Sequence, residues 1–357
     1  MLRGIGRVAA DPDNAGGMME RENVLPGVDD RIVWDLWGSA IHLPAVLAAD
    51  ALGIFEALET QPAGEAELAA RLGLDGHGLA GLLPLLACLG FLTKRLGRFG
   101  LSEAGCRYLR RGQPFYWGDA LGVMRELPMV RALCQALGDK AGPGQYQAAK
   151  GWGEGRLDEE AATAVARVMQ SQSLGASLGL AATGRFQGVS RLLDVGGGSG
   201  CFAVALARRD PALRCTVMDL PAMCRVAAGY LEAAGLASRI DTLPLDMFRE
   251  SWPEGYDAML LSNILHDWDE ATNRELAARA FQALPRGGRV FVHEILVDDD
   301  GVGPLAAAAL SVLLYLAVRG RQYAAKEIAS LLAAAGFVDV GVNAAHGYYS
   351  LVVARKP

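Results

Sequence analysis

Beyond Phe186 the chain changes texture, and that change limits its fold more than any other feature. Five apolar runs, RLLDVGGGSG, RCTVMDL, IDTLPLDM, YDAMLLSN and GRVFVHEIL, each lead into a helix-like or loop stretch. A closing segment, FVDVGVNAAHGYYSLVVARKP, reads as two strands joined by a turn. Short apolar strands alternating with helices predict an α/β architecture: a doubly wound, mostly parallel sheet with helices on both faces. Ligands bind such sheets at the carboxyl ends of the strands, so the residues that close each run are the first to inspect.

At 357 residues the chain is too long for one ordinary domain. Residues 1–29 are polar and Gly-rich and predict a mobile tail, with sustained helical spacing beginning near Arg31. Residues 30–112 predict a winged-helix domain. The helix EAELAARL, a turn at Gly73–Gly76, a second helix and a β-wing about Gly97 with strands near Leu92 and Phe99 follow that order. Residues 113–185 predict a helical connecting segment with breaks such as Ala141–Gly144, and residues 186–357 the sheet domain. Tyr116, Trp117 and Met124 are candidate pocket residues of the connecting segment, with helix-core packing as the competing reading.

A winged helix raises DNA binding, and the residues argue against it. The groove-reading helix, Gly78 to Leu89, carries no lysine or arginine, and the basic cluster nearby is Lys94, Arg95 and Arg98 on the wing. With a net charge of −6, no nucleic-acid partner is expected. Dimerisation and substrate enclosure are the expected tasks of that module, with the low-charge helices from Trp34 to Phe55 buried between the two protomers of a homodimer. The hydrophobic share of 52% against 21% charged residues excludes whole-chain disorder. Cys88, Cys106, Cys134, Cys201, Cys215 and Cys224 form no C-x-x-C pair and predict reduced thiols in a cytoplasmic protein. Met1 to Ala10 holds no signal-like apolar stretch, and Leu305 to Val318 is short of the roughly 20 residues of a membrane span. That run reads as a buried helix, and no membrane partner is expected.

The stretch Asp194-Val-Gly-Gly-Gly-Ser-Gly200 closes the first strand and opens a helix. Its glycines permit a tight turn and let a ligand lie on bare backbone at a helix amino end, although a plain strand-to-helix connection has the same look. Asp219 ends the second strand, where an acidic residue accepts hydrogen bonds from ribose hydroxyls. Both NAD and S-adenosylmethionine carry that ribose. The spacing separates them: Gly196, Gly198 and Gly200 form G-x-G-x-G, and Cys201 stands where a dinucleotide site needs glycine or alanine. Asp194 is in place to meet a cationic amino acid moiety, so S-adenosylmethionine is the expected cofactor.

The runs LLDVGGGSG, MDLP, LDMF, ILHDWDE and AAAGF, in this order, resemble the small-molecule O-methyltransferases of the caffeic acid and hydroxyindole type. The resemblance spans nearly the whole chain from about Val33. It implies a Rossmann-like class I methyltransferase domain preceded by a winged-helix dimerisation domain. It implies that Gly196 and its neighbours hold the methionine part of the cofactor, Asp219 the ribose, and that Leu220 lies against the adenine. Asp246, Met247 and Phe248 would bracket the adenine ring, with ordinary core packing as the alternative for Met247 and Phe248. Ser262 matches a polar cofactor-contacting position where plant members usually have lysine.

In that family the histidine of the HDW motif, here His266, removes the proton from the substrate hydroxyl. A phenol with pKa near 10 needs such help at neutral pH, and an imidazole suits the task; the plain alternative is a histidine near the start of the next helix. Glu294 closes the fifth strand and matches the glutamate that flanks the base. Gln322, in Arg321-Gln322-Tyr323-Ala324, stands where the family has a second glutamate. His293 has no family counterpart and, by strand alternation, should face away from Glu294. The same alternation keeps His266, Asp267, His293 and Glu294 from converging on a metal, so none is expected. The expected activity is methyl transfer to a hydroxyl of a small aromatic secondary metabolite. Two readings compete with it: transfer to carbon or nitrogen on the same fold, and a ligand-binding winged-helix regulator without catalysis.

Overall fold

In the computed structural model, residues 25, 27–138, 157–318 and 320–357 are described. The expected tail up to Val24 and the break at Ala141–Gly144 lie outside them. The sheet has seven strands in the order β5-β4-β3-β6-β7-β9-β8. These are β3 (Arg191–Val195), β4 (Arg214–Asp219), β5 (Ile240–Pro244), β6 (Ala258–Ser262), β7 (Arg289–Ile295), β8 (Val338–Ala344) and β9 (Tyr349–Arg355). The neighbours among β3 to β7 pair in parallel, while β9 pairs antiparallel with both β7 and β8. Every strand expected from the sequence is present, and the α/β class stands.

Alternate residues of each central strand feed two cores. Leu192, Leu260 and Phe291 pack with helix α10 (Cys201–Arg209) and helix α9 (Glu159–Ala182). Leu193, Met259, Leu261, Val290 and Val292 pack with α12 (Glu270–Ala283) and α14 (Ala325–Ala334) on the other face. Burial on both faces explains why these strands read as continuous apolar runs. Helix α11 (Pro221–Ala233) connects β4 to β5.

Ahead of the sheet lie α1 (Arg31–Gly38), α2 (His42–Ala51), α3 (Ile54–Thr60), α4 (Glu65–Leu72) and α5 (Gly76–Cys88). The hairpin β1 (Leu92–Arg95) and β2 (Arg98–Leu101) follows, then α6 (Glu103–Tyr108), α7 (Gly118–Gly122) and α8 (Pro128–Gly138). Helix α13 (Leu305–Val318) returns from the sheet region to this helical part. Its Ala308, Ala309, Val312 and Tyr315 join the helical core, while Ala307 and Leu310 join the core of the sheet. The apolar run Leu305–Val318 is thus buried from both sides because it joins the two regions. The Tyr315 hydroxyl lies 2.8 Å from both Asp75 Oδ2 and the Ala136 carbonyl, with one proton to share between these acceptors, and ties α13 to the helical part.

Two expectations change here. From Ile41 to Phe55 the helices are buried in this chain's own core, so the apolar surface left on that stretch is α1, with Ile32, Val33 and Leu36 exposed. Trp117 and Met124 are neither pocket nor core; both are exposed, and the Tyr116 hydroxyl instead donates to the buried Asp50. By length and composition the helical stretch Arg31–Ala51 matches a membrane span, with half of its most apolar window buried inside the protein.

Candidate active site

Strands β3, β4 and β6 end side by side, and two contiguous cavities open there. A narrow slot is lined by Gly196, expected at the methionine part, and by Asp219, Leu220, Asp246, Met247 and Phe248, the residues the sequence placed around ribose and adenine. Met218, Met223, Leu245, Ile264 and Trp268 add to its walls. A second cavity of about 450 Å³ lies between the glycine turn, α9, α13 and the α1 tryptophans. Met169, Gly196, Asn263 and Asp267 border both.

The glycine turn is held in a shape that side chains would resist. Gly196, Gly198 and Gly200 have φ of 63°, 57° and 78°, in the left-handed region. A Cβ on Gly196 would come within 2.5 Å of Ile264 Cδ1. Asp219 accepts from the backbone N–H of Gly198 at 2.9 Å and of Leu220 at 2.7 Å, so one carboxylate orders the turn while facing the slot. Burial pushes its pKa up to about 6 against those two donors.

Asp194 is the departure. It is 1% exposed, lines neither cavity, and lies beneath the turn, where a Cβ on Gly197 would meet its Oδ2 at 2.8 Å. Burial, reinforced by the nearby Asp219 charge, raises its pKa to about 7. Its place is under the loop rather than against a cationic ligand group. Gly200 likewise stays off both cavities and caps α10.

The acid–base group assembles on the loop after β6. Asn263, with φ of 56°, turns the chain, and a single 3₁₀ turn, Leu265–Asp267, carries His266. Asn273 donates to the carbonyls of Leu265 (2.8 Å) and Trp268 (3.2 Å), and the Tyr323 hydroxyl donates to Trp268 at 2.6 Å. Gly320 presses its backbone so closely on this loop that a Cβ there would lie 1.8 Å from the His266 carbonyl oxygen.

His266 Nδ1 sits 2.8 Å from Glu294 Oε2. Glu294 is 2% exposed, and its Oε1 accepts from the N–H groups of Ile264 and Leu265, 3.0 Å each. Those donors orient the carboxylate, and the carboxylate orients the ring. Gln322 comes within 3.3 Å of the same Nδ1, and its Oε1 has no partner. His266 Nε2 is left near Asp267 Oδ1, 3.4 Å away, beside the second cavity. Burial works against charge on the ring, yet Glu294 and Asp267 outweigh it and hold the proton up to about pH 9.

His293 lies on the opposite face of β7 from Glu294, as alternation predicts. It stacks on Tyr349 (4.7 Å between centroids) and meets Phe202 edge-on. The four-residue metal cluster weighed in the sequence therefore does not assemble. Several wall residues were not foreseen: Met169 on α9, Trp34 and Trp37 on α1, and Leu310 and Leu314 on α13. Each carries an ordinary helical apolar signal, so a local reading has nothing to single it out. Trp268 stood within ILHDWDE and Asn263 closed the YDAMLLSN run just before it, so both could have been taken from the sequence.

Residues 131–338 match the family model of the O-methyltransferase domain. The chain is 37% identical over 310 residues to 3-hydroxy-5-methyl-1-naphthoate 3-O-methyltransferase of Streptomyces sahachiroi, covering 82% of this chain and 85% of that protein. It is 29% identical to L-tyrosine C(3)-methyltransferase of Streptomyces lavendulae, over 79% of this chain and 78% of that one. Among solved structures, an O-methyltransferase family 2 protein from Planctomyces limnophilus in complex with apigenin superposes with a TM-score of 0.84. That pair shares 27% identity over 94% of this chain and 98% of the other. The chain belongs to the S-adenosylmethionine-dependent O-methyltransferases that act on small molecules.

Proposed function

We propose that this protein methylates a hydroxyl on a small aromatic secondary metabolite, with His266 as general base. One observation carries the reading: a buried, doubly hydrogen-bonded carboxylate holds His266 at Nδ1, and that histidine lines the larger cavity beside the cofactor slot. The slot suits the cofactor, since Asp219 offers acceptors to a ribose diol and Leu220, Met247 and Phe248 offer apolar faces to adenine. When bound, S-adenosylmethionine supplies an electrophilic methyl group and a positive sulfonium, whose charge opposes a second positive charge on His266. Nε2 then takes the hydroxyl proton as the oxygen accepts the methyl, and Glu294 stabilises the imidazolium so formed.

The cavity walls support an aromatic acceptor. Trp34, Trp37, Phe202 and Tyr349 supply rings, and Val165, Val168, Leu310 and Leu314 supply apolar contact. The naphthoate-methylating relative and the apigenin-bound neighbour support the same class. The test is turnover of a phenol panel, read by product mass and NMR. Methyl groups found on ring carbon instead, as the tyrosine C(3) relative's name describes, would overturn the hydroxyl assignment.

For the helical region, residues 30–112, the reading is a winged-helix module serving dimerisation. Helix α5 supports this over DNA reading: eight of its 13 residues are buried, against α13 among others. Ile32, Val33 and Leu36 on α1 give an exposed apolar row for a second copy. Light scattering at micromolar concentration should give the dimer mass, and a monomer would refute it. Residues 113–185 would serve as the enclosing segment and 186–357 as the catalytic domain.

A further inference from the structure

We propose that His293 is a positioning residue that turns the Ser262 hydroxyl into a fixed hydrogen-bond donor for the carboxylate of the cofactor's methionine portion. The inference rests on the cofactor placement given above. Ser262 and His293 are partners across the parallel β6–β7 ladder, on the same face of the sheet. Ser262 Oγ lies 2.9 Å from His293 Nδ1.

The tautomer follows from the other ring nitrogen. Nε2 is buried and has no hydrogen-bond partner, and the ring is wedged between Tyr349 and Phe202. A proton on Nε2 would be a buried orphan donor, whereas a bare lone pair costs less. The proton therefore sits on Nδ1 and is donated to Ser262 Oγ. Burial, with His346 adding to it, drives the pKa of His293 down to about 3, so the ring stays neutral and this donor persists at any working pH.

An Oγ that already accepts from Nδ1–H is left with its own proton to give. Within the protein its acceptor is the His293 carbonyl at 3.4 Å, long for a hydroxyl donor. The alternative is the cavity, which Ser262 lines together with Gly196, Gly198 and Ser199 at the amino end of α10. Among the described residues lining that cavity there is no lysine or arginine. Among the described residues, the donors open to a carboxylate seated there are neutral, and Ser262 is one already oriented before binding.

The experiment compares two ligands by calorimetry: S-adenosylhomocysteine, and 5′-methylthioadenosine, which lacks the amino acid portion. Ser262→Ala should weaken S-adenosylhomocysteine by about 10- to 100-fold and leave 5′-methylthioadenosine unchanged. His293→Leu should reproduce that pattern, and His293→Asn, which keeps an N–H near the Nδ1 position, should restore affinity to within about threefold. Equal losses for both ligands, no loss for either, or a fall in kcat alone pointing to the acceptor oxygen, would each overturn the proposal. So would an Asn variant as impaired as Leu in folded protein. Asp219→Ala serves as the separate control: if it spares both ligands, the cofactor placement itself has failed.

Discussion

The two cavities that meet at Gly196 are built in opposite ways. Every wall of the slot except Met169 comes from residues 196–268, near the ends of successive strands and the turns that follow them. The larger cavity borrows α1, α9, α10 and α13, elements drawn from residues 34 to 318 with the C-terminal Tyr349 added. The contrast has a chemical sense. Ribose and adenine need a few polar and apolar groups at set spacing, which a run of strand ends supplies. An aromatic acceptor needs shape, and shape comes from helices packed across the chain's full length.

Substitutions at three positions, and then pH, can break or sharpen that contrast. His266 lines the larger cavity and not the slot, and His266→Ala should lower kcat by roughly 10²–10⁴-fold with S-adenosylhomocysteine affinity nearly intact. Because that change also strands the buried Glu294, His266→Asn is the companion variant; parental turnover in either would end the base assignment. Next comes Asp219→Ala, a change confined to the slot. It should weaken S-adenosylhomocysteine by about 10- to 100-fold through lost ribose hydrogen bonds, with KM for the acceptor little moved. Trp34→Ala is its mirror image in the larger cavity: a rise of up to about tenfold in acceptor KM, with cofactor affinity unchanged. If both variants shifted both constants together, the two-part division would be wrong.

The smallest effects are those of pH, and they fall in different pH windows in the two regions. His266 holds its proton up to about 9, so kcat/KM should climb with pH toward that value, and Glu294→Gln should move the rise to lower pH. On the slot side, the ionised Asp219 is the form that accepts ribose hydroxyls, and its pKa stands at about 6. Cofactor affinity should therefore decline below pH 6, by up to about tenfold per unit. Asp194, raised to about 7, gives the reverse trend in stability. The folded chain keeps a proton there that the unfolded chain loses near pH 4. Stability of the cofactor-free protein should fall between those values, and thermal melts of Asp194→Asn should flatten that slope.

What the sequence determined by itself was whatever depends on neighbours along the chain. Alternation gave away the sheet, DVGGGSG the turn at its edge, and the strand-closing residues Asp219 and Glu294 the two carboxylates that matter. Side-chain period even placed His293 away from Glu294. Only the tertiary structure could decide the rest. Asp194 sits one residue before β3 ends, and sequence position cannot say whether a carboxylate there points over the glycine turn or beneath it; in the fold it lies beneath. The α1 helix shows the same limit. Its low charge signalled burial, but whether Trp34 or Ile32 is covered depends on where α13 and β9 come to rest, more than 250 residues later. Local patterns record which faces of an element are apolar. They do not record what arrives to cover them, because that partner is chosen by packing across the whole chain.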